Sequence, residues 1–157
     1  MGTIRIETTI HAPIELCFDL ARSVSAHLSS TARTRERVIS PVASDVLGPG
    51  DVVTWEATHL GMRQRLTSKI TQFEPPRSFE DEQTIGPFAA FWHRHEFADK
   101  GGTTVMTDLV RYRAPFGPIG SLVEFIFLDR YLRSFLERRA ANLRVLAEAR
   151  THGAPPA

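Results

Sequence analysis

The fold is decided by residues 111–150, RYRAPFGPIGSLVEFIFLDRYLRSFLERRAANLRVLAEAR, which contain a strand end, a bend and one long helix. Proline and glycine predict the bend at Pro115, Gly117 and Pro118, and no proline interrupts the helix over 119–149. On a helix, the apolar residues of this stretch form one wide stripe: Leu122, Phe125, Ile126, Leu128, Leu132, Phe135, Leu136, Ala140, Leu143, Leu146 and Ala147. At about 1.5 Å per residue the helix extends roughly 45 Å. Only a large sheet upstream offers a partner surface of that length.

Length and composition predict one domain over residues 1–150, followed by a disordered tail at 151–157. The chain has 157 residues, 42% of them hydrophobic and 24% charged, with a net charge of +1, which gives no reason to expect a nucleic-acid partner. The lone Cys17 cannot form an internal disulfide and fits a reducing compartment. No apolar run approaches the roughly 18 residues of a membrane span. We therefore expect a cytoplasmic protein without stable membrane insertion.

The first part of the chain predicts one strand and two short helices. Apolar and polar residues alternate over 4–10, which is typical of a half-buried strand. Pro13 suits the first turn of a helix. A second short helix is expected at roughly 24–30, where His27 and Leu28 are the bulky groups that it presents inward.

A series of antiparallel hairpins begins at Val52. If Leu60 and Gly61 form a two-residue turn, Trp55 lies opposite Leu66. The inner face then carries Val53, Trp55, Ala57, His59, Met62, Gln64, Leu66, Ser68, Ile70 and Gln72. That face holds more polar groups than a plain core tolerates without partners.

The strand at 78–84 has two faces of mixed polarity. Phe79 and Asp81 lie on one face, Glu80 and Glu82 lie on the other, and the pattern leaves open which face is buried.

The last hairpin predicts a shared face for several aromatic and titratable groups, provided that its connection has an even number of residues. This face carries Phe91, His93, His95, Phe97, Thr104, Met106, Asp108, Val110 and Tyr112. Depending on the turn, either His93 or His95 lies directly across from Asp108, at a Cβ distance of about 5 Å.

The elements together predict an α+β fold, in which a curved antiparallel sheet of about six to seven strands wraps around the long C-terminal helix. This order resembles the START-like SRPBCC superfamily, the helix-grip fold that includes bacterial polyketide cyclase/dehydrase-type proteins. The resemblance is carried by His27-Leu28, Gly50-Asp51-Val52-Val53-Thr54-Trp55, Phe79-Glu80-Asp81-Glu82-Gln83, Gly86-Pro87-Phe88, His93-x-His95-x-Phe97, Gly102-Thr103 to Asp108 and Pro115-Phe116-Gly117-Pro118. It implies an internal cavity for an apolar small molecule between the sheet and the C-terminal helix. We therefore expect a hydrophobic or amphipathic ligand, lipid- or polyketide-like, and no obligate cofactor.

The residues expected to contact such a ligand share a position on the inner faces of the sheet and helices. They are His27, Trp55, His59, Met62, Gln64, Leu66, Ser68, Phe91, Phe97, Met106, Phe125 and Leu132. The polar members either are satisfied core groups or orient the ligand.

The histidines and Asp108 leave two further chemical roles open. As an acid–base pair, His93 or His95 with Asp108, assisted by Tyr112 as a hydrogen-bond donor, suits a cyclase or dehydrase reaction. Metal binding by the two histidines and Asp108 is chemically feasible, but the spacing matches no known site, so we expect no metal.

The C-terminal helix carries two charged residues, Asp129 and Arg139, within its apolar stripe. They either line the cavity or cap its ends. Val123, Phe127 and Tyr131 lie off the stripe, and either pack on the short helices or form a homodimer patch.

Overall fold

One antiparallel sheet and three α-helices make up the described part of the computed structural model, which covers residues 1–115, 117 and 127–153. The elements are β1 (Gly2–Ile10), α1 (Ile14–Arg22), α2 (Val24–Ser30), a short 3-10 turn (Ala32–Thr34), β2 (Arg37–Val38), β3 (Val52–His59), β4 (Met62–Glu74), β5 (Ser78–Ile85), β6 (Ala90–Asp99), β7 (Thr104–Arg113) and α3 (Asp129–Thr151). The strand order is β1-β7-β6-β5-β4-β3-β2. The predicted helix-grip arrangement of a seven-stranded sheet around a long C-terminal helix is therefore confirmed. The predicted first part of that helix, 119–126, lies outside the described residues.

The apolar stripe of α3 packs on the sheet and the short helices, as its spacing predicted. Leu132 and Leu136 belong to a buried cluster with Ile4 and Val110 at one end. Farther along α3, Ala140, Leu143 and Ala147 belong to the main core, together with Cys17, Phe18 and Leu20 of α1. The helix thus closes one side of the sheet.

The β3–β4 hairpin has the predicted register, with Trp55 opposite Leu66. Leu60 and Gly61 form the two-residue turn with positive φ angles of 54° and 78°. Such turns match the twist of the flanking strands, and glycine adopts the second angle without steric cost.

A β-bulge corrects the prediction for Gln72. The register shifts between Ile70 and Gln72 because the bulge inserts one extra residue. Beyond it, the side chains that face inward are one residue later than simple alternation predicts. Gln72 becomes exposed, and Phe73 turns inward to contact Phe18, with ring centroids 5.6 Å apart.

The inward face of β5 is the one with Phe79 and Asp81, which the sequence pattern had left open. Phe79 is buried in the main core and Asp81 lines the cavity described below. On the neighbouring pair, His95 lies directly opposite Asp108. Three strands therefore bring titratable groups to one area of the inner face. Within the described residues, no helix has the length and apolarity needed to cross a membrane.

Candidate ligand-binding cavity

An internal cavity of about 610 Å³ lies between the inner face of the sheet and α3. Its apolar wall is formed by side chains from both layers, among them Val53, Trp55, Ile70, Phe91, Leu132 and Phe135. The volume falls within the range of about 300–1,000 Å³ that is typical of small-molecule sites.

The β3–β4 turn marks the mouth of this cavity. Leu60 and Met62 line the cavity and yet are 48% and 61% exposed, so they border both the interior and the solvent. The inward face assigned to Met62 is correct, but the residue lies where the strand leaves the core.

A buried His–Asp cluster, formed by Asp81, His93, His95 and Asp108, lies on the inner face of β5, β6 and β7. His93 Nε2 donates a hydrogen bond to Asp108 Oδ1 at 2.9 Å. His95 Nδ1 lies 2.8 Å from the same oxygen without hydrogen-bond alignment, and its Nε2 lies 3.6 Å from Asp81 Oδ2. The two imidazoles overlap, with ring centroids 3.8 Å apart. Asp108 therefore holds both rings from behind.

The electrostatics of the His–Asp cluster distinguish its two histidines. Burial and the charge of His95 lower the pKa of His93. Burial also acts against protonation of His95, but contact with Asp108 and Asp81 outweighs it and raises the pKa of this imidazole. Burial likewise opposes ionisation of Asp108, yet the hydrogen bond from His93 and the contact with His95 hold the pKa of this carboxyl well below its usual range. The cluster therefore favours a carboxylate at Asp108 and a proton on His95.

A second polar cluster, formed by Arg139, His27 and Glu36, connects α3, α2 and the segment before β2. Arg139 Nε donates to His27 Nδ1 at 3.3 Å, and His27 Nε2 donates to Glu36 Oε1 at 3.0 Å. A guanidinium can only donate, so the accepting Nδ1 carries no proton. Burial acts to raise the pKa of Glu36, but the hydrogen bond from His27 brings it below its usual value.

Arg139 is buried in the cavity wall. Among the described residues its hydrogen bond goes to His27, and no carboxylate oxygen lies within 4.0 Å of its guanidinium. A buried cation without an ion pair is costly. An acidic group of a ligand would reduce that cost.

His59 and Tyr131 form a third polar contact in the cavity wall. His59 Nδ1 lies 2.8 Å from the Tyr131 hydroxyl, and the His59 ring meets Phe135 edge to face, with centroids 5.3 Å apart. Burial lowers the pKa of His59 and raises that of Tyr131, so both side chains favour their neutral forms. Tyr131 thus lines the cavity and packs in the cluster that contains Leu132 and Leu136.

Most of the sequence-predicted ligand residues lie in the cavity wall: His27, Trp55, His59, Met62, Gln64, Leu66, Ser68, Phe91 and Leu132, together with His93 and His95. Phe125 lies outside the described residues. The placement of Phe97 and Met106 in the wall needs correction, since both are buried in the main core. The reason is α1, whose Phe18 covers this part of the sheet and meets Phe97 edge to face at 5.6 Å.

Two of the predicted catalytic residues do not line the cavity. Asp108 lies behind the histidines, and Tyr112 is buried with Ile4 and Val110, where its hydroxyl donates to Asp129 Oδ1 at 3.3 Å. The proposed contact of Tyr112 with a substrate is therefore not supported by its position.

Sequence reasoning did not assign two residues of the wall that matter chemically. Asp81 could not be assigned to the cavity, because neither face of β5 has a clear apolar pattern that would show which one is buried. Glu36 had no signal, because its partner His27 is nine residues away across a helix end and a turn.

The family model described as "Polyketide cyclase / dehydrase and lipid transport" matches residues 1–148. Among similar solved structures, a START superfamily protein from Mycobacterium smegmatis superposes with a TM-score of 0.74 at 10% identity, over 95% of this chain and 99% of that chain. The Zhui aromatase/cyclase from Streptomyces sp. R1128 gives a TM-score of 0.70 at 16% identity, over 98% and 99% of the two chains. The protein TTHA0849 from Thermus thermophilus gives 0.72 at 16% identity, over 93% and 99%. No curated protein matches the sequence at a significant level.

Proposed function

Because the chain belongs to the polyketide cyclase / dehydrase and lipid transport family, we propose that it binds an amphipathic small molecule, lipid- or polyketide-like, in the cavity between the sheet and α3. The observation that carries this proposal is the cavity itself, about 610 Å³ in volume, with apolar walls and a few convergent polar groups. Apolar walls supply affinity, and the polar groups fix the orientation of the ligand.

The positions of the polar groups support an amphipathic ligand over a purely apolar one. Arg139, the His59–Tyr131 pair and three members of the His–Asp cluster, Asp81, His93 and His95, line the cavity. Polar groups in a cavity wall are costly to desolvate if no polar group of a ligand meets them. The exposed mouth at Leu60 and Met62 provides access.

A cavity-filling variant tests this proposal. Ala57 lines the cavity, so Ala57→Trp places an indole inside it. A fluorescent fatty acid should bind the unmodified chain and lose at least about 10-fold in affinity in this variant, equivalent to about 1.4 kcal/mol. Native mass spectrometry of freshly purified protein should show a co-purified ligand in the unmodified chain and none in the variant.

Val52→Trp provides the matched control, because Val52 is on the same strand, is 45% exposed and does not line the cavity. It should leave fatty-acid affinity within about twofold. Equal binding by the Ala57→Trp variant, when it is folded by circular dichroism, would contradict an internal site.

The His–Asp cluster favours a second candidate function, a cyclase or dehydrase reaction without cofactor. His95 is held by Asp108 and, together with His93, lines the cavity, where a ligand carbonyl would lie. In this candidate one imidazole passes a proton to or from carbon and oxygen atoms of a poly-β-ketone, while the cavity folds the chain.

The test for the enzyme candidate is Asp108→Asn. Turnover of a poly-β-ketone substrate should fall by at least about 100-fold, the usual size of an acid–base contribution, with fatty-acid affinity within about threefold of the unmodified chain. Turnover that survives the substitution would remove the His–Asp pair from the mechanism and leave the binding proposal in place.

A further inference from the structure

Three donors from different side chains meet on the cavity wall. Asp81, His93 and His95 each offer one ligand atom, and none of these atoms lies farther than 4.8 Å from another. All three residues line the cavity, so a fourth position next to them opens onto its interior. Two imidazoles and one carboxylate with open positions are a common ligand set for first-row transition metals.

Asp108 is placed as the supporting carboxylate of such a site. It contacts one nitrogen of each ring, His93 Nε2 at 2.9 Å and His95 Nδ1 at 2.8 Å. The other nitrogen of each ring is Nδ1 in His93 and Nε2 in His95, and His95 Nε2 already lies 3.6 Å from Asp81 Oδ2. Histidines that bind metals usually donate a hydrogen bond from their second nitrogen to a carboxylate, which sets the tautomer and the ring orientation. His93 Nε2 makes this bond to Asp108, and His95 Nδ1 lies beside the same oxygen without hydrogen-bond alignment.

We propose that Asp81, His93 and His95 bind a divalent first-row transition metal ion, with Asp108 as the carboxylate that positions both imidazoles. Donors on one tetrahedral zinc ion lie roughly 3.4 Å apart, as follows from metal–ligand distances of about 2.1 Å. The separation of 3.6 Å between His95 Nε2 and Asp81 Oδ2 is already close to that value. Binding requires the widest separation, at most 4.8 Å, to shorten by about 1.4 Å.

The charges around the site are compatible with a cation. Asp81 and Asp108 supply two negative charges, whereas Arg139, which acts on Asp81 and His95 through its charge, supplies one positive charge. Metal binding requires both imidazoles to be neutral, and these three groups then carry a net charge of −1, which attracts a cation. With the ion in place, the metal and not a protonated imidazole would face an oxygen of the ligand.

Titration of the chelator-treated chain with Co²⁺ tests the site, because Co²⁺ reports its ligands through visible absorption. One equivalent should bind, with the d–d bands of a four- or five-coordinate ion, and equimolar Zn²⁺ should displace it. Asp81→Asn and His93→Gln should each weaken binding by at least about 100-fold. Asp108→Asn should weaken it by about 10- to 100-fold, the size expected for a supporting carboxylate.

His152→Gln is the control for adventitious binding, since His152 is exposed at the end of α3, and it should bind one equivalent unchanged. A folded unmodified chain that takes up no Co²⁺, or a folded Asp81→Asn chain that binds as tightly, would overturn the proposal. If the variants do not fold, NMR of the Co²⁺-loaded unmodified chain decides: hyperfine-shifted signals from His93 and His95 support the site, and signals from His11 or His152 contradict it. This titration contains no organic ligand, so its outcome is independent of the binding function proposed above.

Discussion

His27 lies against Trp55 in the cavity wall, with ring centroids 4.2 Å apart and planes 34° from parallel. The same imidazole accepts the hydrogen bond from Arg139 and donates one to Glu36. The stacked Trp55 ring therefore holds His27 in place, and His27 in turn holds the guanidinium at the cavity wall. This arrangement holds a cation in the cavity wall, where an acidic group of a ligand would meet it.

Arg139→Met should change the preference of the cavity for acidic ligands. The buried guanidinium attracts a carboxylate, and methionine keeps the apolar stem without the charge. We expect the affinity for a fatty acid to fall about 10-fold, or about 1.4 kcal/mol. The affinity for the corresponding fatty alcohol should change less than about twofold. Isothermal titration calorimetry with both ligands measures the difference.

Arg138→Met is the control for Arg139, because Arg138 is the adjacent residue on α3 and is exposed. It should leave both affinities unchanged. Equal losses for the acid and the alcohol in the Arg139 variant would show that Arg139 supports the shape of the wall and does not recognise an anion.

A charge at the mouth of the cavity should slow ligand association without changing the stability of the fold. Met62→Glu places a charge where an apolar ligand enters, so the association rate constant of a fluorescent fatty acid should fall roughly fivefold, equivalent to about 1 kcal/mol of barrier. Met62 is 61% exposed, and the free energy of unfolding should change by less than about 0.5 kcal/mol. Stopped-flow fluorescence and urea denaturation provide the two measurements.

Ile85→Glu is the comparison for the mouth, because Ile85 is 71% exposed at the end of β5 and does not line the cavity. Its association rate should equal that of the unmodified chain. A similar slowing in both variants would place the access route elsewhere.

The sequence predicted those parts of the fold that depend on local patterns. The turn at Leu60–Gly61 determined the β3–β4 register, and the apolar spacing determined the buried face of α3. The bulge near Thr71 was not predictable, because it has no residue signal and only the pairing with β5 reveals it. One extra residue there exchanged the positions of Gln72 and Phe73.

The candidate site was predictable only in part, for a similar reason. His93, His95 and Asp108 follow from strand alternation once the hairpin is known. Asp81 does not, because both faces of β5 mix acidic residues with other types, and the buried face depends on α1, whose Phe18 packs on Phe79 at 5.7 Å. Arg139 stood out as a charge in the apolar stripe of α3, but its partner His27 is 112 residues away.

The outer face of the sheet predicts a pH-dependent contribution to stability. Glu56 accepts hydrogen bonds from Arg65 and Arg37, each at 2.8 Å, and from Arg63 at 3.1 Å. The bonds from Arg65 and Arg37 are the main cause that lowers the pKa of Glu56 from 4.5 to about 2. Because the folded-state pKa is the lower one, the contribution is complete above about pH 4.5 and is lost as the pH falls through about 2.

Glu56→Gln should therefore destabilise the chain at pH 7, and the difference from the unmodified chain should shrink as the pH falls from 4.5 towards 2. Urea denaturation at a series of pH values measures this. Glu74→Gln, at an exposed strand end, should show no such trend. A destabilisation by Glu56→Gln that stays constant down to pH 2 would contradict the lowered pKa.

Phe97 and Phe91 lie on the same face of β6, near opposite ends of the strand, yet truncation of Phe97 should mainly reduce stability and truncation of Phe91 should mainly reduce ligand affinity. Phe97 is buried against Phe18 and Phe79, so Phe97→Ala should cost about 3–5 kcal/mol of unfolding free energy. Phe91 borders the cavity and has fewer contacts to lose, so Phe91→Ala should cost less than about 2 kcal/mol. The fatty-acid affinity of the Phe91→Ala variant should fall about 10-fold, whereas a folded Phe97→Ala chain should bind nearly as well as the unmodified one.

Urea denaturation and fluorescence titration of both variants provide the test. If Phe97→Ala lost ligand affinity and Phe91→Ala did not, the cavity would extend under α1 and not towards α3.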